Sequence, residues 1–377
     1  MAAPAADKSF YMKAALRLAR RGIGRVSPNP LVGAVLVRGG TIVGTGYHRF
    51  FGGPHAEVHA LEKAREKARG ADLYINLEPC SHFGKTPPCA DALIAAGVRR
   101  VFIGMQDPNP LVSGKGIKKL REAGIFVETG IREHECRQLN EAFIKYITRQ
   151  IPFVYLKLAA TLDGKIATAG GDSKWITCDA SRAFVHRLRS EVDAIMVGIG
   201  TVLEDDPLLT ARPAFGAGKN PLRVIVDSRL RTPHGSKLLH TARAVPTIIA
   251  TCSGSAPRRQ KALKQRGADI LETAPRRGRV DLLKLMKKLA QRGITTVLIE
   301  GGSELSATAL QAGIVDKILF FYAPKIICGE KALPMIGGQG VHKISCAVRV
   351  RDLRVKKVGD DILVEGYISR EIRNSEH

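Results

Sequence analysis

Apolar residues recur at helical spacing over Phe10–Arg20, and the Gly22/Gly24 pair ends that stretch. Leu31–Val37 and Thr41–Tyr47 flank Arg38-Gly39-Gly40 and predict a hairpin. Helices are then predicted at His55–Lys67, Pro88–Ala96, Ile117–Ala123 and Arg132–Ile147, alternating with strands at Asp72–Leu77, Arg100–Gly104 and Ile125–Glu128. Pro152 cannot extend the last helix and marks a boundary. A second series predicts strands at Phe153–Ala160, Ala194–Val197, Arg223–Asp227, Thr247–Ala250, Ile270–Glu272, Thr296–Ile299 and Lys317–Tyr322. Helices at Ser181–Arg189, Arg258–Arg266, Val280–Arg292 and Ser303–Ala312 fall among them, and Val348–Val358 with Ile362–Ile368 predicts a closing antiparallel pair. Strands joined by helices imply an α/β chain with largely parallel sheets, the first starting in an antiparallel hairpin. The expected division is a domain over 1–148, a second over 149–370, and a disordered tail over 371–377.

A length of 377 residues suits two domains, and 45% hydrophobic with 25% charged residues is globular composition. No run approaches the ~18 apolar residues of a membrane helix, and the N-terminus lacks the apolar core of a secretory signal. The 7 cysteines are odd in number and scattered, which predicts a reducing, cytoplasmic setting with cysteines as metal ligands and no disulfide framework. The formal charge of +24 changes the picture more. Residues 1–150 carry 23 basic and 13 acidic groups and the rest 36 and 22, so the excess is spread along the chain. It fits a nucleic-acid binder, an enzyme for phosphorylated small molecules, or a surface with no charge-dependent role. Aromatics at 5% argue against binding single strands by base stacking.

His55-Ala56-Glu57 follows Gly52-Gly53-Pro54, Pro79-Cys80 comes 23 positions beyond Glu57, and Cys89 completes the set. One His and two thiolates make a zinc site with three protein ligands, leaving the fourth tetrahedral position to water. Glu57, a neighbouring carboxylate outside the ligand set, is placed to move that water's protons. Cys80 and Cys89 each lie near a predicted helix start, where thiolates are favoured. Positions i and i+2 do not share a face of a regular helix, so His55 and Glu57 need the looser geometry of a first turn or an intervening water. A purely structural site would want a fourth protein ligand, which His59 or His82 could supply.

This arrangement resembles the zinc-dependent nucleobase deaminases, whose pattern is H-x-E followed by P-C-x-x-C. Here eight residues, Ser81 to Pro88, separate the cysteines. The whole chain resembles one family, the bifunctional riboflavin-biosynthesis deaminase/reductases. Ser27-Pro-Asn-Pro-Leu-Val-Gly33, Pro54-His-Ala-Glu-Val-His-Ala60, Leu77-Glu-Pro-Cys-Ser-His82, Gly84-Lys-Thr-Pro-Pro-Cys89 and Gln106-Asp-Pro-Asn-Pro110 carry it in the first half. Leu156-Lys-Leu-Ala-Ala-Thr-Leu-Asp-Gly-Lys165, Gly171-Asp-Ser-Lys-Trp-Ile-Thr177, Val197-Gly-Ile-Gly-Thr-Val-Leu-Glu-Asp-Asp-Pro207 and Ile299-Glu-Gly-Gly-Ser303 carry it in the second. The resemblance implies a cytidine-deaminase-like α/β/α zinc domain followed by a dihydrofolate-reductase-like α/β domain. The implied chemistry is hydrolytic deamination of a diaminopyrimidinone bearing a phosphoribosylamino group, then NADPH reduction of the ribosyl group to ribityl.

The resemblance places deaminase substrate contacts at Asn29, His48, His82, Lys85, Asp107 and Asn109, and zinc, one per chain, on His55, Cys80 and Cys89, with Glu57 catalytic. It places NADPH on Ala159, Trp175, Thr201, Asp205, Ser228 and the stretch Gly302, Ser303, Glu304, Leu305, Ser306, Ala307 and Thr308. The reductase substrate falls on Ser173, Arg189, Leu209, Arg212 and Glu300. Bottom-up, Asn and Asp suit a pyrimidine edge, and Lys85, Arg189 and Arg212 suit phosphate. A strand ending in Gly301-Gly302 before a helix at Ser303 offers backbone N–H groups to a phosphate. No G-x-G-x-x-G follows the first strand, which disfavours an ordinary Rossmann domain. Asp205 and Glu300 are the candidate proton donors of the reduction. The basic excess favours NADPH over NADH through its extra phosphate. Expected partners are phosphorylated pyrimidines and a second copy of the chain, with no nucleic acid and no membrane. Two rivals stand beside this reading: a nucleic-acid base deaminase with an accessory basic domain, and a zinc-stabilised binding protein with no open coordination site.

Overall fold

The computed structural model describes residues 8–81, 88–110, 112–212 and 218–369. The expected tail over 371–377 lies outside the described residues. The chain divides into two compact units, Met1–Gln150 and Ile151–His377. Among the described residues no helix is long and apolar enough to cross a membrane.

The first unit runs α1 (Lys8–Ala19), β1 (Gly33–Arg38), β2 (Thr41–Tyr47), α2 (Ala56–Ala64), β3 (Asp72–Leu77), α3 (Cys89–Ala95), β4 (Arg100–Met105), α4 (Lys115–Glu122), β5 (Phe126–Thr129), α5 (Glu133–Leu139) and α6 (Glu141–Arg149). The strand order is β2-β1-β3-β4-β5. β1 is antiparallel to both neighbours, while β3, β4 and β5 run parallel. Every residue of β3 is buried, as expected of a central strand covered on both faces. Leu36, Leu73 and Ile75 face α2, α3 and α4 through Ala60, Leu93 and Leu120, whereas Val35, Tyr74 and Phe102 face α1 and α5 through Met12, Leu16 and Cys136.

The predicted helix Arg132–Ile147 is two helices, broken at Asn140. The buried Asn140 side chain accepts from the Leu31 N–H at 2.8 Å and donates to the Leu31 carbonyl at 3.0 Å. Distant backbone thus captures a residue whose local spacing reads as helix. Another contact seats α2: a Cβ on Gly46 would lie 2.0 Å from the Ala56 carbonyl oxygen, and one on Gly44 2.3 Å from that of Ala60. The helix backbone rests directly on the hairpin, and only glycine permits that approach.

The second unit runs β6 (Phe153–Thr161), β7 (Lys165–Ala167), α7 (Asp179–Glu191), β8 (Ala194–Gly198), α8 (Ile199–Asp205), β9 (Leu222–Val226), α9 (Lys237–His240), β10 (Thr247–Cys252), α10 (Pro257–Gln265) and β11 (Asp269–Thr273). It continues through β12 (Pro275–Arg276), β13 (Arg279–Val280), α11 (Leu282–Gln291), β14 (Thr296–Glu300), α12 (Ser303–Gln311), β15 (Lys317–Ala323), β16 (Leu333–Pro334), β17 (Val350–Val358) and β18 (Asp361–Ile368). Its main sheet has the order β11-β10-β9-β8-β14-β6-β15-β18-β17. It is parallel from β11 to β15, and β18 and β17 close it antiparallel. β8, β9 and β14 therefore end on one edge, at Gly198, Val226 and Glu300, where ligands of such sheets bind. The helix α8 was not predicted: its seven residues begin Ile-Gly and are too few to show a period.

Gly46→Ala should destabilise the first unit by about 1–3 kcal/mol, the usual cost of overpacking. Thermal unfolding checks this, and an unshifted transition would mean that α2 can lift off the hairpin freely.

Candidate functional site

His55 is the residue before α2, with φ −74° and ψ 167°, so its backbone is extended and outside the helix. The helical spacing rule does not apply to it, and His55 and Glu57 line the same cavity. Cys80 follows β3 and Cys89 opens α3 after Pro88. The His55 Nδ1 lies 3.2 Å from the Cys89 Sγ and 3.6 Å from the Cys80 Sγ. The three ligand atoms all fall within 4.8 Å of one another. Zn–S near ~2.3 Å and Zn–N near ~2.0 Å at a tetrahedral angle separate N and S by ~3.5 Å, so these donors fit a zinc ion.

The site's electrostatics fit too. The Cys89 thiol hydrogen-bonds Cys80 and, against burial, holds it down at about 4, with His55 assisting. The Cys89 backbone N–H also points at the Cys80 sulfur, at 3.3 Å. Cys89 itself is pushed far up by that same bond to the Cys80 thiolate and by burial. Glu57, in the first turn of α2, is 3% exposed, and its Oε2 has no hydrogen-bond partner among the described residues. Burial, with the Cys80 charge added and His55 opposing, raises its carboxyl to about 7. Of the two alternative fourth ligands, His59 turns its Nδ1 to Glu62 at 3.3 Å and stands outside the cluster, and His82 lies outside the described residues.

A cavity of about 340 Å³ opens on this cluster, and Asn29, His48, Asp107 and Asn109 line it. The buried His48 contacts the Asn29 amide nitrogen through Nε2 at 3.1 Å and the Pro54 carbonyl through Nδ1 at 3.1 Å. Burial lowers its pKa, which suits a neutral ring donating from Nδ1 and accepting at Nε2. The Asp107 carboxylate accepts the Asn109 N–H at 2.8 Å. Lys85, like His82, lies outside the described residues. Sequence reasoning missed the apolar wall of Phe51, Phe143 and Tyr146.

It also missed Glu78, which is 3% exposed. Its carboxylate accepts four backbone N–H groups: Asp107 at 3.1 Å, Gly114 at 3.0 Å, Gly116 at 2.9 Å and Ile117 at 3.1 Å. Two residues before Cys80, it ties the metal-ligand turn to the loop bearing Asp107 and Asn109. The available signal was an acidic residue directly after the predicted strand and two positions before the metal-ligating Cys80.

In the second unit a cavity of about 900 Å³ brings together Ala159, Ser173, Trp175, Arg189, Thr201, Asp205, Leu209, Arg212, Glu300 and Gly302. The other expected residues lie beyond its lining. Ser228 follows β9, and its hydroxyl accepts the Val280 N–H at 3.0 Å. Ser303 is buried with no partner for its hydroxyl among the described residues, and Glu304 pairs with Arg279 at 3.2 Å. Leu305, Ser306 and Ala307 are buried side chains, and the Thr308 hydroxyl donates to the Glu304 carbonyl at 2.8 Å. Gly301 and Gly302, at φ 71° and 81°, turn the chain from β14 into α12.

Arg189 grips Glu300 with two bonds, at 2.6 and 2.9 Å, and donates to the Thr210 carbonyl at 3.2 Å. Burial would raise the Glu300 carboxyl, but Arg189 outweighs it and the pKa falls below its ordinary value. Both Glu300 oxygens accept from Arg189, an arrangement that suits the ionised carboxylate. Lys157, which the sequence reading passed over, lines the same cavity 3.9 Å from Glu300. Burial lowers its pKa against the pull of Glu300. Asp205 pairs with Lys174 at 3.9 Å, and Trp175 is exposed with Arg182 over its ring at 4.8 Å.

The profile described as the cytidine and deoxycytidylate deaminase zinc-binding region matches residues 5–105, and that of the RibD C-terminal domain matches residues 152–364. The riboflavin biosynthesis protein RibD of Aquifex aeolicus is 47% identical over 95% of this chain and 97% of its own. That of Escherichia coli is 40% identical over 94% and 97%. Among solved structures, RibD of Acinetobacter baumannii superposes with a TM-score of 0.87 at 38% identity, covering 96% of this chain and 99% of that one. The diaminohydroxyphosphoribosylaminopyrimidine deaminase/5-amino-6-(5-phosphoribosylamino)uracil reductase of Thermotoga maritima gives 0.84 at 40% identity, with the same coverage of 96% and 99%.

Glu78→Gln removes the charge and turns an amide donor toward backbone N–H groups. The loss should be about 2–3 kcal/mol in first-unit stability, together with a raised KM for deamination. Denaturant unfolding and steady-state kinetics read both, and unchanged values would show that the loop holds itself.

Proposed function

The chain belongs to the RibD family of riboflavin-biosynthesis deaminase/reductases, and on that premise we propose which of its residues perform each reaction. It is a zinc-dependent deaminase and an NADPH-dependent reductase in one chain. A nucleic-acid base deaminase is not favoured, because the family match extends through the second unit.

In the first unit His55, Cys80 and Cys89 hold the metal. Bound there, zinc lowers the pKa of a water toward ~7 and leaves it free to attack. Glu57 is the residue placed to accept a proton from an attacking water and return it to the departing amine, since one of its buried carboxylate oxygens has no partner among the described residues. Asp107 and Asn109 read the pyrimidine edge, with His48 and Asn29 contacting the substrate from the same cavity lining. His82 and Lys85 are assigned to the substrate on the resemblance alone.

In the second unit NADPH, when bound, would supply the hydride for the ribosyl C1. Arg189 and Arg212 attract the sugar phosphate, Arg189 held at a fixed angle by Glu300. Opening the sugar ring and reducing C1 also require a proton. Lys157, half-buried and 3.9 Å from Glu300, is the donor assigned to it, since both Glu300 oxygens are taken up by Arg189. A lysine with a lowered pKa makes the reduction rate fall at a lower pH than an ordinary lysine would, since the protonated form is the donor. Lys157→Met should remove that alkaline limb and slow reduction about 10²–10⁴-fold; a pH–rate profile unchanged in shape would clear Lys157 of the role.

We place the enzyme in a reducing cytoplasm, where its free cysteines remain thiols. A homo-oligomer is consistent with β17, an edge strand exposed along nearly its whole length with Val350, Leu353 and Val355 outward.

The observation that carries the reading is the convergence of three ligand atoms within 4.8 Å beside a buried carboxylate with one oxygen unpartnered among the described residues. Glu57→Gln tests it. Ammonia release should fall at least about 10²–10⁴-fold, while zinc content and reduction of supplied deaminated intermediate persist. If a folded, metal-loaded variant also lost reduction of that intermediate, the two sites would not be separate.

A further inference from the structure

The hairpin of β12 and β13 concentrates positive charge where no fold requirement explains it. Arg276 and Arg279 stand directly opposite in its register, and Arg277 occupies the turn. Like charges at facing positions repel, so the arrangement works against the hairpin's own stability. Arg276 and Arg277 make no ion pair among the described residues, and all three side chains are exposed. Arg279 pairs with Glu304 at 3.2 Å.

The hairpin's attachments give this charge an address. The Val280 N–H donates to the Ser228 hydroxyl at 3.0 Å, anchoring the hairpin to the segment just after β9. Glu304 belongs to the first turn of α12, directly after the Gly301-Gly302 turn that lines the cavity. The arginines thus bridge two segments that leave the carboxyl edge of the parallel sheet. Arginines that line the cavity itself have partners there: Arg189 bonds Glu300, the exposed Arg212 meets His186 at 3.4 Å, and Arg182 donates to the Thr177 carbonyl at 2.6 Å.

We propose that the Arg276–Arg279 hairpin is the specificity determinant that recognises the 2′-phosphate of NADPH, with Arg279 exchanging Glu304 for the phosphate. This rests on the NADPH-dependent reading of the second unit. The 2′-phosphomonoester is the sole chemical difference between NADPH and NADH, and guanidinium forks bind such a group with two bonds each. Glu304 sets the contrast. It neutralises Arg279 in the free protein and competes with the incoming phosphate.

Calorimetric titration of the full chain with adenosine 2′,5′-bisphosphate and with 5′-AMP isolates this contact from turnover. The parent should prefer the bisphosphate. Arg276→Ala/Arg279→Ala should weaken the bisphosphate about 10- to 100-fold, equivalent to one or two charge-assisted hydrogen bonds, and leave 5′-AMP within about twofold by the same arithmetic. Glu304→Gln should tighten the bisphosphate. Equal losses for both nucleotides, or an unchanged bisphosphate affinity, would overturn the proposal. A parent that binds neither nucleotide and oxidises no NADPH would instead fail the reductase reading, and this proposal with it.

Discussion

The burial of glutamate carboxylates in low-dielectric surroundings is the constraint on which both sites depend. A buried carboxylate must be satisfied, neutralised or left reactive, and Glu78, Glu300 and Glu57 take one outcome each. Glu78 is satisfied by four backbone N–H groups and has become a clamp. Glu300 is neutralised by Arg189 and orients a guanidinium inside the second cavity. Glu57 keeps an oxygen with no partner among the described residues, and burial lifts its pKa to about 7. The three side chains share one chemistry, and only their neighbours distinguish clamp, counter-ion and proton carrier.

The first unit's geometry follows from close backbone contacts as much as from these charges. α2 approaches the hairpin through Gly44 and Gly46, bringing His55 and Glu57 to the carboxyl end of β3, where Cys80 emerges. Asn140 interrupts a helix to hold the Leu31 backbone, and the segment it releases, α6, adds Phe143 and Tyr146 to the substrate cavity. A local departure from helical propensity therefore builds part of the site.

The net charge of +24 is put to several uses. Some cations pair with buried acids, as Arg189 does, and others line the second cavity, as Lys157 and Arg212 do. A positive field of this kind speeds capture of phosphorylated substrates without itself choosing among them. Choice belongs to groups with fixed geometry, such as a guanidinium held on a short hairpin.

Hydrophobic periodicity alone located most elements of both units, because strand and helix patterns depend on which residues face a core. The metal cluster was equally legible: His55, Cys80 and Cys89, with Glu57 beside them, are chemically distinctive residues at a recognisable spacing, although the packing of α2 on the hairpin brings them together. Residues whose roles depend on remote backbone were not legible. Glu78 read as an ordinary acid until four amides from the segment after β4 and the start of α4 converged on it, and Lys157 as one lysine among many until the sheet placed it beside Glu300. The Asn140 break and the α8 helix were likewise set by long-range hydrogen bonds or by a segment too short to carry a period. The sequence by itself determined the residue types and local patterns that burial and metal ligation require; only the tertiary structure decided which buried charge meets which partner, because that depends on contacts between segments far apart in the chain.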